Sequence, residues 1–232
     1  TVKARIYELY RQKLPNIPVF REGDFATQEF HIFMGRTFSL SRFTPTQANA
    51  ILHASNVFRF ALVRNPADRI ASAYLDKFVK SQFIKAQWVV SLPVLRCFYG
   101  ERANPETDTI TFRQFVNFLG SVPDEGMDLH WLPMHHFLNK DQKLFVGRLE
   151  NSRDDFQFIS EHAGLDIQNT RLNQTTNKRS PEIRHDAFAD MSPSELRSLE
   201  ILPNCQEIYD QGLLDTVKRR YRNDYLSFGY HL

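Results

Sequence analysis

The sequence predicts a single α/β domain in which a parallel sheet carries helices on its faces, and three observations predict it. Val57-Phe-Arg-Phe-Ala-Leu-Val63 is a mostly apolar run of strand length, the pattern of a strand buried on both faces of a parallel sheet. A helix follows at once: Asn65 is a good N-cap, Pro66 suits a first turn, and Ile70, Ala71, Tyr74 and Phe78 form an apolar stripe. A second strand-helix unit repeats the pattern. Lys143-Leu-Phe-Val146 reads as a short strand, and Ser152-x-x-Asp155 as a capping box before Phe156, Ile159 and Ala163, with Gly164 at the helix end.

The other elements fall around these units. Val2, Ile6, Leu9 and Tyr10 repeat at helical spacing with Thr1 as a cap, Pro15-Asn16-Ile17-Pro18 ends that helix, and Arg21-Glu22-Gly23-Asp24 reads as a turn. Thr44-Pro45-Thr46-Gln47 is a capping box that opens a helix through Leu52. Thr111 starts a helix carrying Phe112, Phe115, Val116 and Leu119 and stopped by Gly120; Ser192-Pro193-Ser194-Glu195 starts another, and Cys205 to Tyr221 reads as a third. Neither a repeat nor a linker interrupts residues 1–232, so one domain is expected.

Composition removes several function classes. With 42% hydrophobic and 24% charged residues the chain is neither disordered nor fibrous, and twenty Phe against nine Gly point to a core built from large rings. Twenty-nine Lys and Arg against twenty-seven Asp and Glu give a net charge of +2, too balanced for the basic footprint of a general nucleic-acid binder. Any anion site must be local. No stretch approaches the roughly 18 apolar residues of a membrane span; the best, Trp88 to Leu95, contains Ser91 and Pro93. The chain opens on Thr1 without a signal-peptide layout, so an upstream segment is expected, and a membrane anchor only there. Cys97 and Cys205 have neither metal spacing nor a disulfide framework, which favours reduced thiols and a reducing compartment.

The residues that carry chemistry are Arg64-Asn-Pro-Ala-Asp-Arg69-Ile-Ala-Ser72-Ala-Tyr74, directly after the apolar strand. In open α/β sheets ligands bind beyond the carboxyl ends of strands, and a helix N-terminus offers free NH groups and a positive dipole to an anion. Arg64 adds a fork of donors. Ser72 lies roughly 9 Å along the helix from Pro66, so its hydroxyl completes a phosphate cradle only for a ligand lying along the first two turns, as an extended nucleotide does. The plain alternative pairs Arg64 with a sheet-end carboxylate, leaves Arg69 and Asp76 as surface charges and packs Ser72 for its size. Against it stands the joint pattern, whose five fixed residues occur by chance in such a chain with probability on the order of 10⁻⁴.

This stretch resembles the carbohydrate sulfotransferases of the Golgi type, most closely the chondroitin and dermatan 4-O-sulfotransferase branch and its bacterial relatives, whose signature is R-D-P-x-x-R-x-x-S-A-Y-x-x-K-F. Phe60-Ala-Leu-Val-Arg64-Asn-Pro-Ala-Asp-Arg69-Ile-Ala-Ser72-Ala-Tyr74-Leu-Asp-Lys77-Phe78 departs from it in Asn65, and either residue caps a helix. Thr111-Phe112-Arg-Gln-Phe115-Val116 resembles the family's T-F-x-x-F-V, His130-Trp131-Leu-Pro133 its H-W-x-P, Val146-Gly-Arg-Leu-Glu150 with Asp155 its E-x-x-x-x-D helix start, and Asp224-Tyr-Leu-Ser-Phe228-Gly-Tyr230 its closing D-F-x-x-F-G-Y.

The resemblance implies a P-loop-like three-layer fold with a central parallel sheet flanked by helices. It also implies sulfuryl transfer from 3′-phosphoadenosine-5′-phosphosulfate (PAPS) to a hydroxyl of a carbohydrate acceptor, without a metal. By the same resemblance Arg64 and Ser72 bind the donor's 3′-phosphate, and Lys178 and Arg179 belong to a segment that closes over the donor, for which an ordinary solvated loop is the alternative. The family's P-K-x-x-S/T-T/S turn, which holds the 5′-phosphosulfate, has only its tail in Thr1-Val2-Lys3; the expectation is a domain lacking its first strand and that loop.

A base must take the acceptor's proton, and histidine has the suitable pKa. In related sulfotransferases the base often lies between the two donor motifs, which selects His31 first; His53 reads as a packing or surface residue. His130 is the second candidate and, beside Trp131 with an aromatic face for sugar packing, an acceptor contact. A metal reading of His130, His135 and His136 lacks a Cys or carboxylate at ligand spacing. Lys218, Arg219, Arg220 and Arg222 read as a solvated helix face. An inactive nucleotide- or glycan-binding module of the same fold is the competing function, and a nucleotide kinase is disfavoured without G-x-x-x-x-G-K-S/T. The absence of Cys from Met134–Lys140, where animal members carry it, favours a cytoplasmic bacterial enzyme over a Golgi-lumenal one.

Overall fold

A computed structural model describes residues 19, 21, 34, 39–138, 144–163 and 185–232. In chain order its elements are α1 (Pro45–His53), β1 (Phe60–Val63), α2 (Pro66–Tyr74), α3 (Trp88–Tyr99), α4 (Phe112–Ser121), β2 (Phe145–Arg148), α5 (Ser152–Ala163), α6 (Pro193–Ser198), α7 (Gln211–Arg220) and α8 (Arg222–Ser227). The helix expected over the first residues, its Pro15–Pro18 stop and residues 22–24 of the turn lie outside the described residues. The chain divides into two compact units, Thr1–Val63 with Lys140–Gln174, and Arg64–Asn139 with Thr175–Leu232.

In the first unit β1 and β2 pair in parallel, Phe60 opposite Phe145 and Val63 opposite Arg148. The parallel pairing expected from the two strand-helix units is therefore present, with different strand limits. The first strand starts at Phe60 rather than Val57, and the second covers 145–148 rather than 143–146. Only Val63 of β1 is buried; Phe60, Ala61 and Leu62 are half-buried, short of the two-sided burial expected of them. Gly147 is required by close approach, because a Cβ there would stand 3.0 Å from Leu62 Cδ2 and 3.2 Å from Asp155 Cβ. Asp155 does not form the expected box with Ser152. Its carboxylate accepts from Arg148 N at 2.6 Å and Asn151 Nδ2 at 3.0 Å, fastening the end of β2 to α5, which begins at Ser152 itself.

In the second unit α2 buries Ile70, Ala71 and Tyr74 and continues into a π-helical turn, Leu75–Lys80, that buries Phe78. The expected stripe meets Phe112, Phe115, Val116 and Leu119 of α4 in a ring-rich core, with Tyr74 and Phe112 centroids 5.3 Å apart and the Tyr74 hydroxyl donating to Ile110 O at 2.9 Å. Gly120 does not stop α4, which runs to Ser121. A Cβ at Gly120 would lie 3.3 Å from Thr216 Cγ2, so the glycine admits α7. Helix α7 is shorter than the expected 205–221, because Asp210 caps it by accepting from Leu213 N at 2.8 Å. The run around Trp88–Leu95 forms α3 despite Pro93, and among the described residues no helix is long and apolar enough to cross a membrane.

Candidate functional site

The site grows from the start of α2, in the second unit. Asn65 caps the helix as expected: its Oδ1 accepts from Ala67 N at 2.9 Å and from Asp68 N at 3.5 Å. Pro66 has no NH, and Arg69 N already donates to Asn65 O at 2.9 Å. The first-turn amides are therefore occupied, and the free NH groups expected to receive an anion are not there. What remains is the helix dipole and side chains.

Those side chains converge. Arg64 Nη1 donates to Ser72 Oγ at 2.8 Å, so the two residues expected to share a ligand stand in contact, both half-buried. Among the described residues no carboxylate pairs with Arg64, which sets aside the sheet-end ion pair. A third group, Cys205, meets both: its Sγ lies 3.9 Å from Arg64 Nη2 and 3.9 Å from Ser72 Oγ, and it donates to Asp68 O at 3.5 Å. Burial pushes the Cys205 thiol pKa up, reinforced by Asp68 and opposed by Arg64, so the sulfur is neutral. Sequence reasoning missed Cys205, which lies 133 residues from Ser72 in no motif. Beside it, Asn65, Asp68, Tyr209, Lys218 and Tyr225 line an open concavity of about 360 Å³.

The rest of the motif builds a loop. Arg69, a surface charge in the plain alternative reading, instead donates to Leu129 O at 2.9 Å and Leu132 O at 2.8 Å, clamping the His130 segment onto α2. Burial lowers its pKa, with Tyr221 and Asp224 acting against that shift. Tyr221 donates to Trp131 O at 2.6 Å, and the fully buried Asp224 accepts from Met134 N at 2.7 Å and His135 N at 2.9 Å. The closing D-Y-x-x-F-G-Y segment thus secures the H-W-x-P segment.

Within that loop His130 is exposed and its Nδ1 lies 2.5 Å from Asp128 Oδ1. A carboxylate on Nδ1 fixes the ring's orientation and favours the tautomer that carries its proton on Nδ1. The Asp-x-His spacing was readable in the sequence and was overlooked. The expectation for Trp131 is overturned. It is 1% exposed, edge-on to Phe115 at 5.3 Å, and offers no face to a sugar, because its ring completes the core. Carboxylates do reach the other two histidines, Asp224 at 2.7 Å from His135 Nδ1 and Asp124 at 2.7 Å from His136 Nε2, yet among the described residues no group of three or more His, Cys, Asp or Glu gathers to hold a metal.

Arg220 also departs from expectation. It is half-buried, donating to Leu119 O at 2.9 Å and Val122 O at 3.3 Å while pairing with Asp124, because the end of α4 leaves carbonyls that need donors. His31, Lys178 and Arg179 lie outside the described residues.

A model of the sulfotransferase family matches residues 14–231. Carbohydrate sulfotransferase 14 of Mus musculus is 33% identical over 79 residues, 34% of this chain and 21% of that protein. Carbohydrate sulfotransferase 10 of Homo sapiens is 28% identical over 120 residues, 47% of this chain and 33% of that protein. The aligned stretches thus span a third or less of these relatives. No solved structure matches.

Proposed function

The chain belongs to the sulfotransferase family, and from that premise we propose that it transfers a sulfuryl group from PAPS to a hydroxyl of a carbohydrate acceptor. The observation that carries the reading is the Arg64–Ser72 contact at 2.8 Å beside the start of α2, with the guanidinium left without a carboxylate among the described residues. A half-buried cation of this kind is matched to an anionic ligand, and a guanidinium fork beside a hydroxyl suits the three oxygens of a phosphate monoester. The names of the relatives, carbohydrate sulfotransferases 14 and 10, support a carbohydrate acceptor. The parallel β1–β2 pair supports the finer fold assignment, a P-loop-like three-layer domain with a central parallel sheet.

Sulfuryl transfer asks the protein for positioning and electrostatic stabilisation more than for covalent chemistry, as phosphoryl transfer does. In this proposal Arg64 and Ser72 hold the donor's 3′-phosphate, and Lys178 and Arg179 close over the donor. His31 takes the acceptor proton. His130, with Asp128 on its Nδ1, works on the acceptor side. The assignments of His31, Lys178 and Arg179 rest on their places in the sequence. A reducing, cytoplasmic setting belongs to the proposal and is supported by the free thiols Cys97 and Cys205.

The test is transfer itself. Incubation of the full-length protein, with its upstream phosphosulfate loop, with PAPS labelled in its sulfate and a panel of desulfated polysaccharides is expected to label at least one acceptor and release adenosine 3′,5′-bisphosphate in equal amount. Binding of the bisphosphate with no transfer to any acceptor would select the inactive nucleotide- or glycan-binding module instead.

A further inference from the structure

We infer that Cys205 is a positioning residue for the anion-binding pair, its thiol holding the Arg64 guanidinium on Ser72 while leaving the arginine's charge available. Three contacts carry the inference. The sulfur lies 3.9 Å from Arg64 Nη2, 3.9 Å from Ser72 Oγ and 3.5 Å from the Asp68 carbonyl to which it donates. With the thiol donating to that carbonyl of α2, the sulfur accepts from Arg64 Nη2 and meets the Ser72 hydroxyl. Arg64 already places Nη1 on Ser72, so the sulfur supports the second nitrogen of the same fork.

The residue type matters here. A carboxylate in this place would pair with Arg64 and compete with an incoming phosphate; an aliphatic side chain would leave Nη2 without a polar neighbour among the described residues and free to swing. A neutral, weakly accepting sulfur does neither. Burial keeps it in that neutral form, since desolvation raises the thiol pKa despite the guanidinium nearby.

The inference rests on reading Arg64 and Ser72 as the 3′-phosphate site, so its test separates the two claims. Adenosine 3′,5′-bisphosphate and adenosine 5′-monophosphate, which differ only in the 3′-phosphate, are titrated calorimetrically into the wild-type chain and into Arg64→Ala, Cys205→Ala, Cys205→Val and Cys205→Ser. Cys205→Ala is expected to weaken the bisphosphate about two- to tenfold, the range of one lost hydrogen-bonding contact, and to leave the monophosphate unchanged. Cys205→Val, which more than fills the space of the thiol but has no polar atom, is expected to do the same without opening a cavity. Cys205→Ser is expected to restore most of the loss. Equal weakening of both nucleotides, no weakening in either Cys205→Ala or Cys205→Val, or a serine no better than alanine would overturn the role of Cys205. A preference for the bisphosphate that survives Arg64→Ala would overturn the reading of the site itself.

Discussion

Arg64 and Ser72 stand eight residues apart in sequence, and the Arg64 guanidinium touches the Ser72 hydroxyl at 2.8 Å. Helical rise alone carries Ser72 about 9 Å beyond Pro66. The contact exists because the Arg64 side chain lies back along the first two turns of α2 instead of extending away from it. With the Ala67 and Asp68 amides taken by Asn65, anion binding at this end of the helix falls to that side-chain pair and to the dipole behind it.

Arg69 ties the same helix to the His130 loop through Leu129 O and Leu132 O. Arg69→Ala is expected to cost about 1 to 3 kcal/mol in denaturant unfolding, because two carbonyls lose a charged donor. Hydrogen exchange should speed up in residues 129–132 before it does elsewhere. Unchanged exchange in that loop would show that the clamp is dispensable.

Trp131 supplies a contrasting case. Fully buried between Phe78 and Phe115, it is expected to act on stability, with Trp131→Ala losing about 3 to 5 kcal/mol. A folded Trp131→Ala protein of wild-type stability that binds a carbohydrate acceptor poorly would restore the ring to the acceptor site.

Arg113 links α4 to two acidic residues, reaching Asp190 Oδ1 at 2.6 Å and Asp210 Oδ2 at 2.7 Å. Its hydrogen bond holds the Asp190 carboxyl below the usual carboxylate range, with partial burial acting in the opposite direction. A depressed folded-state pKa contributes stability that is present above the unfolded pKa, near 4 for a carboxylate, and is lost as pH falls through the folded value. Wild-type stability should therefore drop more steeply below about pH 4 than that of Arg113→Met, the two curves converging in acid. At pH 7 the gap should be about 0.5 to 1 kcal/mol, since the pair is solvent-exposed. Parallel curves in chemical denaturation across this range would contradict the assignment.

What the sequence discloses follows how far apart the interacting groups lie. The Thr44–Gln47, Thr111–Gln114 and Ser192–Glu195 boxes form between a cap and its partner three residues on, whereas the Ser152–Asp155 box, of the same spacing, does not, because Asp155 is drawn to Arg148 N and Asn151 Nδ2. Arg64 and Ser72 are legible because both belong to one strand end and one helix. Cys205 is not, since nothing in residues 204–206 signals a place beside Ser72. Trp131 and Arg220 were misread for a related cause. Their neighbours, Phe115 and the carbonyls of Leu119 and Val122, come from α4 and its C-cap, and only tertiary packing decides whether an aromatic ring or a cation faces solvent. The α3 helix was overlooked because Pro93 argues locally against it, while Val90, Val94 and Leu95 on one face bury into the core and override that preference.

The central claim, that Arg64 with Ser72 receives the 3′-phosphate of the sulfuryl donor, is tested most directly by calorimetric titration of adenosine 3′,5′-bisphosphate into wild type and Arg64→Ala. Loss of one charge-assisted contact predicts weakening by about 1.5 to 3 kcal/mol, roughly ten- to 150-fold, with the fold and melting temperature kept. Equal affinity in a folded Arg64→Ala protein would contradict it.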